Sequence, residues 1–293
     1  MKHLVLAPQR TLLLLLAPYL IGAVGLFVLP GVLTLALAFT AYDGLAPPTW
    51  RGLQNFADLS IDPIFPTAVQ NTVLFVIIGV PLRLLVMLGL ALLFERERRG
   101  VRLYRSAIYM PTIIPDVAYA LIWVWIYNPL YGPLNLLLGA AGLPAPAWLV
   151  QEDTALLALV GMLLFQIGEG FVVLLVGLHN IPAAYYDIAR VDGGNRWQLF
   201  RHITLPLLLP WLVLLAIRDM IVLAQQTFVI VYLTTGGGPY YATTTLPLLA
   251  YEQVFDGLRF GHGAAIMLLT FLALGAVLLV GFGLVRWLQR DSR

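Results

Sequence analysis

Six long apolar runs alternate with polar segments along the chain, and each is long enough to cross a lipid bilayer as a helix. A transmembrane helix needs about 20 mostly apolar residues. The pattern therefore predicts an all-α integral membrane protein with six transmembrane helices. A seventh, re-entrant span around residues 246–258 is the alternative. The six runs occupy residues 12–39, 71–94, 107–127, 154–178, 206–232 and 262–285.

The first apolar run begins close to the N-terminus, after Lys2 and Arg10, where a signal peptide would also lie. A cleavable signal peptide has an apolar region of about 7–15 residues. The run from Leu12 to Phe39 is longer than that. We therefore expect this run to be retained as the first transmembrane helix.

The polar segments between the runs differ in their content of lysine and arginine. The N-terminus, residues 95–106, residues 179–205 and the C-terminal tail together hold thirteen of these basic residues. The three segments on the opposite side hold only Arg51 and Arg259. Because basic residues concentrate in short cytoplasmic loops, this bias predicts that both termini lie in the cytoplasm. The tryptophans and tyrosine at 123, 125 and 127 are typical of an aromatic belt at the opposite interface.

The composition agrees with a bilayer environment and excludes several kinds of chemistry. Hydrophobic residues make up 60% of the chain, charged residues 11%, and the mean hydropathy is +0.89. The chain has no cysteine, and its four histidines show no metal-ligand spacing, so we expect no metal site, no catalytic residue and no nucleic-acid partner. No G-x-x-x-x-G-K-[ST] phosphate loop occurs, so the chain cannot hydrolyse ATP by that route.

One segment between two apolar runs, residues 178–206, is rich in charge and predicts two short helices joined by a sharp turn. Pro182 suits the start of a helix over residues 183–191. The sequence Asp192-Gly193-Gly194-Asn195 breaks that helix, and residues 196–204 resume it. At i,i+4 spacing the first helix has two faces, one with Ala184, Tyr185, Ile188 and Ala189 and one with Asp187 and Arg190.

Two interpretations of this segment follow from the residues alone. It is either an ordinary loop that binds lipid headgroups through Arg190, Arg196 and Arg201, or a docking surface for another protein. Its ordered pattern favours the second, because Ile181-Pro182, 187–189, Asp192-Gly193 and 203–206 resemble the EAA loop of binding-protein-dependent ABC importer permeases. The resemblance extends over most of residues 50–265. It includes Asn71-Thr72, the Thr-Gly-Gly-Gly-Pro loop at 235–239 and Phe260-Gly261, and is greatest to the maltose-type and glycerol-3-phosphate-type sugar permeases.

The resemblance implies a type I ABC importer permease fold in a bacterial or archaeal cytoplasmic (inner) membrane. It also implies a second homologous permease subunit, two ATPase subunits that bind ATP and Mg, and an external solute-binding lipoprotein, with no cofactor in this chain. Asp187 and Ile188 depart from the family, which has Glu and Ala there. The residues implied in ATPase coupling are Pro182, Tyr186, Asp187, Ile188, Ala189, Asp192 and Gly193, and those implied in facing the receptor are Gly236, Gly237, Gly238 and Pro239.

Five ionisable residues fall inside the predicted spans, where each costs roughly 2.5–3.5 kcal/mol at a helix centre, so they should face one another or water. They are Arg83, Asp116, Glu169, Arg218 and Asp219. Counting along the helices places Arg218 at a depth similar to that of Glu169 and Asp116, which predicts that it pairs with one of them. The predicted solute pathway comprises Asp116, Gln166, Glu169, Arg218, Gln225 and Gln226. The alternative is a salt bridge that only holds helices together.

These features divide the chain into three parts. Residues 1–66 form a first helix with an external loop, residues 67–287 form a permease core with a cytoplasmic coupling loop at 179–205, and residues 288–293 form a tail. The predicted function is import of a sugar, polyol or sugar or glycerol phosphate, driven by a separate ATPase. One alternative is an ion-coupled secondary transporter. Another is a membrane-embedded lipid-headgroup transferase, suggested only by Arg190-Val-Asp192-Gly193.

Overall fold

The computed structural model describes residues 9–96, 98–225 and 227–290, and nearly all of its regular structure is helical. The chain divides into two compact units. One comprises residues up to 61 together with 250–269, and the other comprises residues 62–249 and the segment from 270 onward. The predicted all-α class is correct except for one pair of two-residue strands.

The first unit begins with an uninterrupted helical run. Helix α1 (Gln9–Ala23), a π-helical turn (Val24–Val28) and α2 (Leu29–Leu37) follow one another without a break, so residues 12–37 form one apolar helix long enough to span a membrane. Pro18 and Pro30 lie within it without breaking it.

A small polar structure follows this helix in the first unit. Strands β1 (Thr40–Ala41) and β2 (Thr49–Trp50) pair antiparallel, and α3 (Gln54–Ile61) follows them. Asn55 on α3 is fully buried and donates hydrogen bonds of 2.8 Å to the carbonyls of Ala38 and Thr40. These bonds hold α3 against the start of the hairpin, as expected for a buried amide with its donors satisfied.

The second unit contains most of the helices. Its longest is α4, which runs from Ile64 to Phe94 and starts earlier than the predicted second span. The helices that follow are α5 (Val101–Tyr109), α6 (Asp116–Ile126), α7 (Pro133–Ala140), α8 (Glu152–Leu163), α9 (Gly168–His179), α10 (Ala183–Val191), α11 (Arg196–Leu199), α12 (Leu205–Gln225) and α13 (Phe228–Thr234). The chain continues through α14 (Leu246–Tyr251), a π-helical turn (Glu252–Asp256) and α15 (Phe260–Arg290).

The third and fourth predicted spans are not straight helices. The segments Val101–Ile113 and Asp116–Ile126 meet at an angle of 104°, and α8 and α9 meet at 50°. Pro115 explains the first bend, because proline donates no amide hydrogen bond and drives Ile114 into an extended conformation. Four helices of the described residues can span a membrane, or up to six if each bent pair is one span. The count of six and the orientation of the termini remain predictions.

A glycine makes the second bend possible. A Cβ atom on Gly168, the first residue of α9, would lie 2.7 Å from the Cα of Tyr109. Only glycine therefore lets α9 begin this close to the end of α5.

The fifth predicted span, 206–232, also needs correction: one helical run extends from Arg196 to Gln225, and α13 is a separate short helix.

The core of the second unit lies where α4 packs against α9 and α12. Phe75, Met87, Phe171, Leu174 and Leu208 are almost fully buried in this unit. The prediction of an aromatic belt was wrong for two of its three residues, since the side chains at 123 and 127 are buried in the core. Their rings contact each other at 5.0 Å between centroids. Of the three, only the tryptophan at 125 is exposed.

Candidate functional site

An ion pair between two buried side chains lies in the middle of the second unit. Nε of Arg83 on α4 is 2.8 Å from Oδ2 of Asp219 on α12, and the two side chains are 3% and 0% exposed. Removing two charges from water costs several kcal/mol per ion, so such a pair persists only where further hydrogen bonds satisfy both groups. The surroundings of Arg83 supply such bonds.

The remaining nitrogens of the Arg83 guanidinium reach the bend between α8 and α9. Nη1 donates to the carbonyl of Leu163 at 2.5 Å, and Nη2 donates to the carbonyl of Gln166 at 2.9 Å. The last carbonyls of a helix have no partner within that helix. Arg83 satisfies two carbonyls at this bend and connects α4, the bend and α12 through one side chain.

A second arginine extends the network toward solvent. Nη1 of Arg218 donates to Oδ1 of Asp219 at 2.9 Å, and its Nη2 pairs with Oε2 of Glu169 on α9. The predicted pairing of Arg218 with Glu169 is therefore confirmed. Asp116, the other predicted partner, forms no ion pair among the described residues. The network runs from a buried pair at Arg83 to a partly exposed pair at Glu169.

A cavity of about 140 Å³ adjoins this network. It is lined by four of the residues predicted for the solute pathway, namely Asp116, Gln166, Glu169 and Arg218. Gln225 is not among its lining residues, and Gln226 lies outside the described residues. The first and last of these four residues, Asp116 and Arg218, are 102 positions apart in the sequence, and the structure brings all four to one cavity.

The pathway prediction omitted two polar residues that line the cavity, Arg83 and Thr112, and Thr227, an uncharged polar candidate from the fifth apolar run, lines it too. Thr227 is almost fully buried, and its hydroxyl has no hydrogen-bond partner among the described residues. An unpartnered buried hydroxyl beside charged groups can accept or donate a hydrogen bond to a polar molecule that enters the cavity. The position of Arg83 inside an apolar run was the sequence signal that could have identified it.

The charged segment 178–206 folds as its residues predict. Helix α10 starts directly after Pro182, and Gly193 takes a φ of +84° that favours glycine in the turn that follows. Asn195 caps α11: its side chain accepts from the amide of Gln198 at 2.9 Å, and the Gln198 side chain accepts from the amide of Asn195 at 2.8 Å. This reciprocal capping box fixes where the second helix begins.

Most of the residues implied in coupling lie on the surface of this segment. Tyr185 and Ile188 are exposed on α10, and Ile188 is 62% exposed. Asp187 forms a 3.0 Å ion pair with Arg190 on the same helix. Tyr186 differs from its neighbours because its hydroxyl hydrogen-bonds Oγ1 of Thr204 at 2.9 Å. This bond connects α10 to the π-helical turn that follows α11. Pro182, Asp192 and Gly193 are exposed, and Ala189 is half-buried.

The loop with the three glycines is held by hydrogen bonds to its neighbours. Nδ2 of Asn71 on α4 donates to the carbonyls of Tyr241 and Thr244, both at 2.9 Å. Gly237 is buried with a φ of +85°, and a Cβ there would lie 2.6 Å from the Thr244 hydroxyl. Gly238 and Pro239 are half-buried, and Gly236 is exposed. The most exposed side chain of this loop is Tyr240, at 88%.

No group of three or more histidine, aspartate or glutamate side chains in the part of the chain that the structure describes could hold a metal ion. Two acidic groups near the cavity are engaged with arginines, Asp219 with Arg83 and Arg218 and Glu169 with Arg218, whereas Asp116 forms no ion pair among the described residues. The site can therefore offer paired charges, an amide and hydroxyls to a polar solute.

Comparison with known proteins gives three consistent findings. A family model described as "Binding-protein-dependent transport system inner membrane component" matches residues 85–293. The chain is 32% identical over 284 residues to the probable ABC transporter permease protein YesP of Bacillus subtilis, covering 95% of this chain and 91% of YesP. It is 33% identical to the sulfoquinovosyl glycerol transport system permease protein SmoG of Agrobacterium fabrum, covering 92% and 84%.

A solved structure shares the fold. It is that of a bacterial alginate ABC transporter in complex with an alginate pentasaccharide-bound periplasmic protein, and one of its chains superposes with a TM-score of 0.83. The match covers 95% of both chains at 21% identity. The bent helix pairs and the exposed α10 therefore occur in a chain whose fold is that of a known transporter subunit.

Proposed function

The chain belongs to the family of binding-protein-dependent transport system inner membrane components, and on this premise we propose that α10 couples it to a separate ATPase. It is a multi-pass permease subunit of an ATP-binding-cassette importer, and ATP hydrolysis belongs to another subunit of such a system. It is not an enzyme in its own right. The comparisons give no support to an ion-coupled transporter or a headgroup transferase.

The exposed face of α10 is the observation that carries this proposal. Tyr185 and Ile188 present apolar surface away from the protein, although the helix is braced on its other side by Tyr186. An exposed apolar patch with polar neighbours marks an interaction site. The bond between Tyr186 and Thr204 and the turn at Gly193 connect α10 to the helical run that follows, so in this proposal a movement of α10 also moves α11 and α12.

The partners follow from the same proposal. Two ATPase subunits would bind ATP and Mg, and one of them would receive α10. A second, homologous permease subunit would complete the pathway across the membrane, and an external solute-binding protein would deliver the solute near Gly236–Pro239. Transport would then be a two-state equilibrium of the permease pair, biased by the different contacts that the ATPase makes in each state.

The proposed solute is a sugar, polyol or sugar or glycerol phosphate. SmoG and the alginate transporter, by their names, act on a glycoside and on a polysaccharide. The cavity beside Arg218 offers donors and acceptors of the kind that hydroxyl groups need, on Gln166, Thr112 and Thr227. We assign Asp116, Gln166, Glu169 and Arg218 to the solute pathway on this basis. Gln225 and Gln226 stay in the proposed pathway on the basis of the sequence alone.

ATP hydrolysis by the assembled complex tests the proposal. The chain would be co-expressed with candidate permease and ATPase subunits, purified, and assayed with and without a candidate solute receptor. We expect the receptor with bound solute to stimulate hydrolysis several-fold. A complex that never includes an ATPase, or that transports solute with an ion gradient and no ATP, would refute it.

A further inference from the structure

A cavity of about 770 Å³ opens beside α10. The end of α4, residues 95, 96 and 98, α10 and the beginning of the helical run from Arg196 form its walls. Four arginines line it, namely Arg96, Arg98, Arg190 and Arg196. Glu95 is the one acidic residue among its described lining residues, and Glu97 lies outside the described residues.

The arginines leave positive charge unused. Arg190 is engaged with Asp187 in an ion pair of 3.0 Å. Arg96, Arg98 and Arg196 are exposed and form no ion pair among the described residues. Three guanidinium groups facing one cavity repel one another unless an anion lies between them. Guanidinium groups bind phosphate oxygens through paired hydrogen bonds, so a phosphate is the group they fit best.

Apolar side chains line the same cavity beside the arginines, and they come from the same two segments. Leu92 and Leu93 come from the last turn of α4, and Trp197 and Phe200 from the start of the next long helical run. Trp197 is 65% exposed. Both helical runs are apolar enough to span a membrane, and the cavity lies where both of them end. Tryptophan and arginine are both favoured at the boundary between hydrocarbon and headgroups, which is the setting that we propose below for this cavity.

Hydrogen bonds hold the walls in place. Arg105 donates to the carbonyl of Phe94 from Nη2 at 2.7 Å and from Nε at 3.1 Å, and to the carbonyl of Glu95 at 2.9 Å. These bonds tie α5 to the end of α4, on either side of the segment that carries Arg96 and Arg98. On the other side, the bond between Tyr186 and Thr204 ties α10 to the π-helical turn that follows α11.

We propose that this cavity binds the phosphate headgroup of an anionic phospholipid in the adjacent membrane leaflet. The phosphate lies among Arg96, Arg98 and Arg196, and the acyl chains run along Leu93 and Trp197. A cavity lined by both arginines and apolar side chains, at the ends of helices apolar enough to span a membrane, matches an amphiphile that is anionic at one end. A soluble anion would leave the apolar side chains uncovered.

The consequence for coupling rests on the proposed function, whereas lipid binding does not. Arg190 and Tyr186 belong both to α10 and to the cavity wall. A bound headgroup would compete with Asp187 for Arg190 and stabilise one orientation of α10. Anionic lipid would then change how well the ATPase drives transport.

Quenching of Trp197 fluorescence tests lipid binding on the full-length chain in detergent, without any partner. The probe is phosphatidylglycerol with brominated acyl chains, and phosphatidylcholine with the same chains is the zwitterionic reference. The signal from Trp197 is the difference between the wild-type chain and Trp197→Phe. We expect half-maximal quenching at an about tenfold lower fraction of phosphatidylglycerol than of phosphatidylcholine. Equal quenching by the two lipids would overturn the proposal.

Two matched double variants separate the cavity from general surface charge. Arg96→Gln with Arg196→Gln removes one arginine from each wall, and we expect it to abolish the preference for phosphatidylglycerol. Arg99→Gln with Arg201→Gln removes the same charge from the same two segments outside the cavity lining, and we expect the preference to persist. If both double variants lost the preference for phosphatidylglycerol equally, only the net charge would matter, and the proposed site would be overturned.

Two further arms distinguish the other occupants. Inorganic phosphate is added at increasing concentration, and displacement of phosphatidylglycerol at low millimolar phosphate would assign the cavity to a soluble phosphate. The titration is repeated after the ATPase is added. If the preference for phosphatidylglycerol disappears, the ATPase covers the cavity and the lipid proposal fails. If the preference persists, the lipid and the ATPase occupy different surfaces, as proposed.

Discussion

Arg83 and Asp219 lie 136 positions apart in the sequence and form a 2.8 Å ion pair that is almost completely buried. Their helices, α4 and α12, pack directly against each other. Because Arg83 also donates to the carbonyls of Leu163 and Gln166, one side chain stabilises both a helix contact and a bent span. This arrangement explains why an arginine is present inside a long apolar run.

Replacement of Arg83 by leucine should strongly destabilise the protein. Asp219 would keep Arg218 but lose its buried partner, and two carbonyls would lose their donor, at a cost of about 3–5 kcal/mol. Thermal unfolding of the purified chain in detergent measures this, with the exposed Arg102→Leu as the control. The double variant with Asp219→Leu should recover part of the loss. Equal unfolding of Arg83→Leu and Arg102→Leu would contradict the assignment.

Replacement of Glu169 by glutamine should reduce transport while leaving the complex assembled. Glu169 is exposed and lines the cavity, and Arg218 would retain Asp219 as its partner. Solute uptake into vesicles that contain the reconstituted importer measures the effect, and we expect a reduction of several-fold. Glu152→Gln, in the exposed first turn of α8, is the control. A Glu169→Gln chain that fails to assemble would show that the pair with Arg218 only holds helices together.

Replacement of Ile188 by aspartate should weaken binding of the ATPase. The side chain lies on the exposed face of α10, and a charge buried there without a partner opposes docking. Co-purification of the ATPase with the permease pair should fall by about tenfold or more, since a central interface residue can contribute over 2 kcal/mol. Leu45→Asp places the same charge on a leucine of the β1–β2 hairpin that is still more exposed, at 86% against 62%, and should leave co-purification unchanged. Unchanged ATPase recovery with Ile188→Asp would exclude α10 as the docking helix.

Replacement of Asn71 by alanine should loosen the loop around Gly236–Pro239. The side-chain amide of Asn71 donates to the carbonyls of Tyr241 and Thr244, and leaving the buried Thr244 carbonyl without a donor costs about 1–3 kcal/mol. Limited digestion with chymotrypsin detects this, because Tyr240 is exposed on the loop. Cleavage after Tyr240 or Tyr241 should become faster in Asn71→Ala and remain slow in the exposed neighbour Gln70→Ala. Equal cleavage rates would show that the loop does not depend on Asn71.

Patterns local in the sequence predicted much of this fold. Hydropathy located the apolar runs, because burial in lipid acts on each helix separately. Proline, glycine and capping residues located α10 and α11, because Pro182, Gly193 and Asn195 act on their own backbone. The order of motifs indicated the family, since the EAA-like segment and the residues around it occur in sequence order.

Contacts between distant helices were not predictable in this way. The pairing of Arg218 with Glu169 was one of two alternatives at similar depth, and only the packing of α9 against α12 selects it. The tryptophan at 123 was placed at an interface because its position in the run fits one. Packing against Phe165 instead buries it. Depth along a helix follows from counting residues, but the direction a side chain faces depends on its neighbours.

The sequence by itself determined that the chain crosses a membrane, which segment forms its charged loop and to which family it belongs, because these depend on composition and local order. Only the tertiary structure decided that spans three and four are bent, that Arg83 satisfies the carbonyls exposed at the second bend, and that four arginines share one cavity beside α10. Each of these depends on groups far apart in the chain, whose charges and hydrogen bonds acquire partners only when the helices pack.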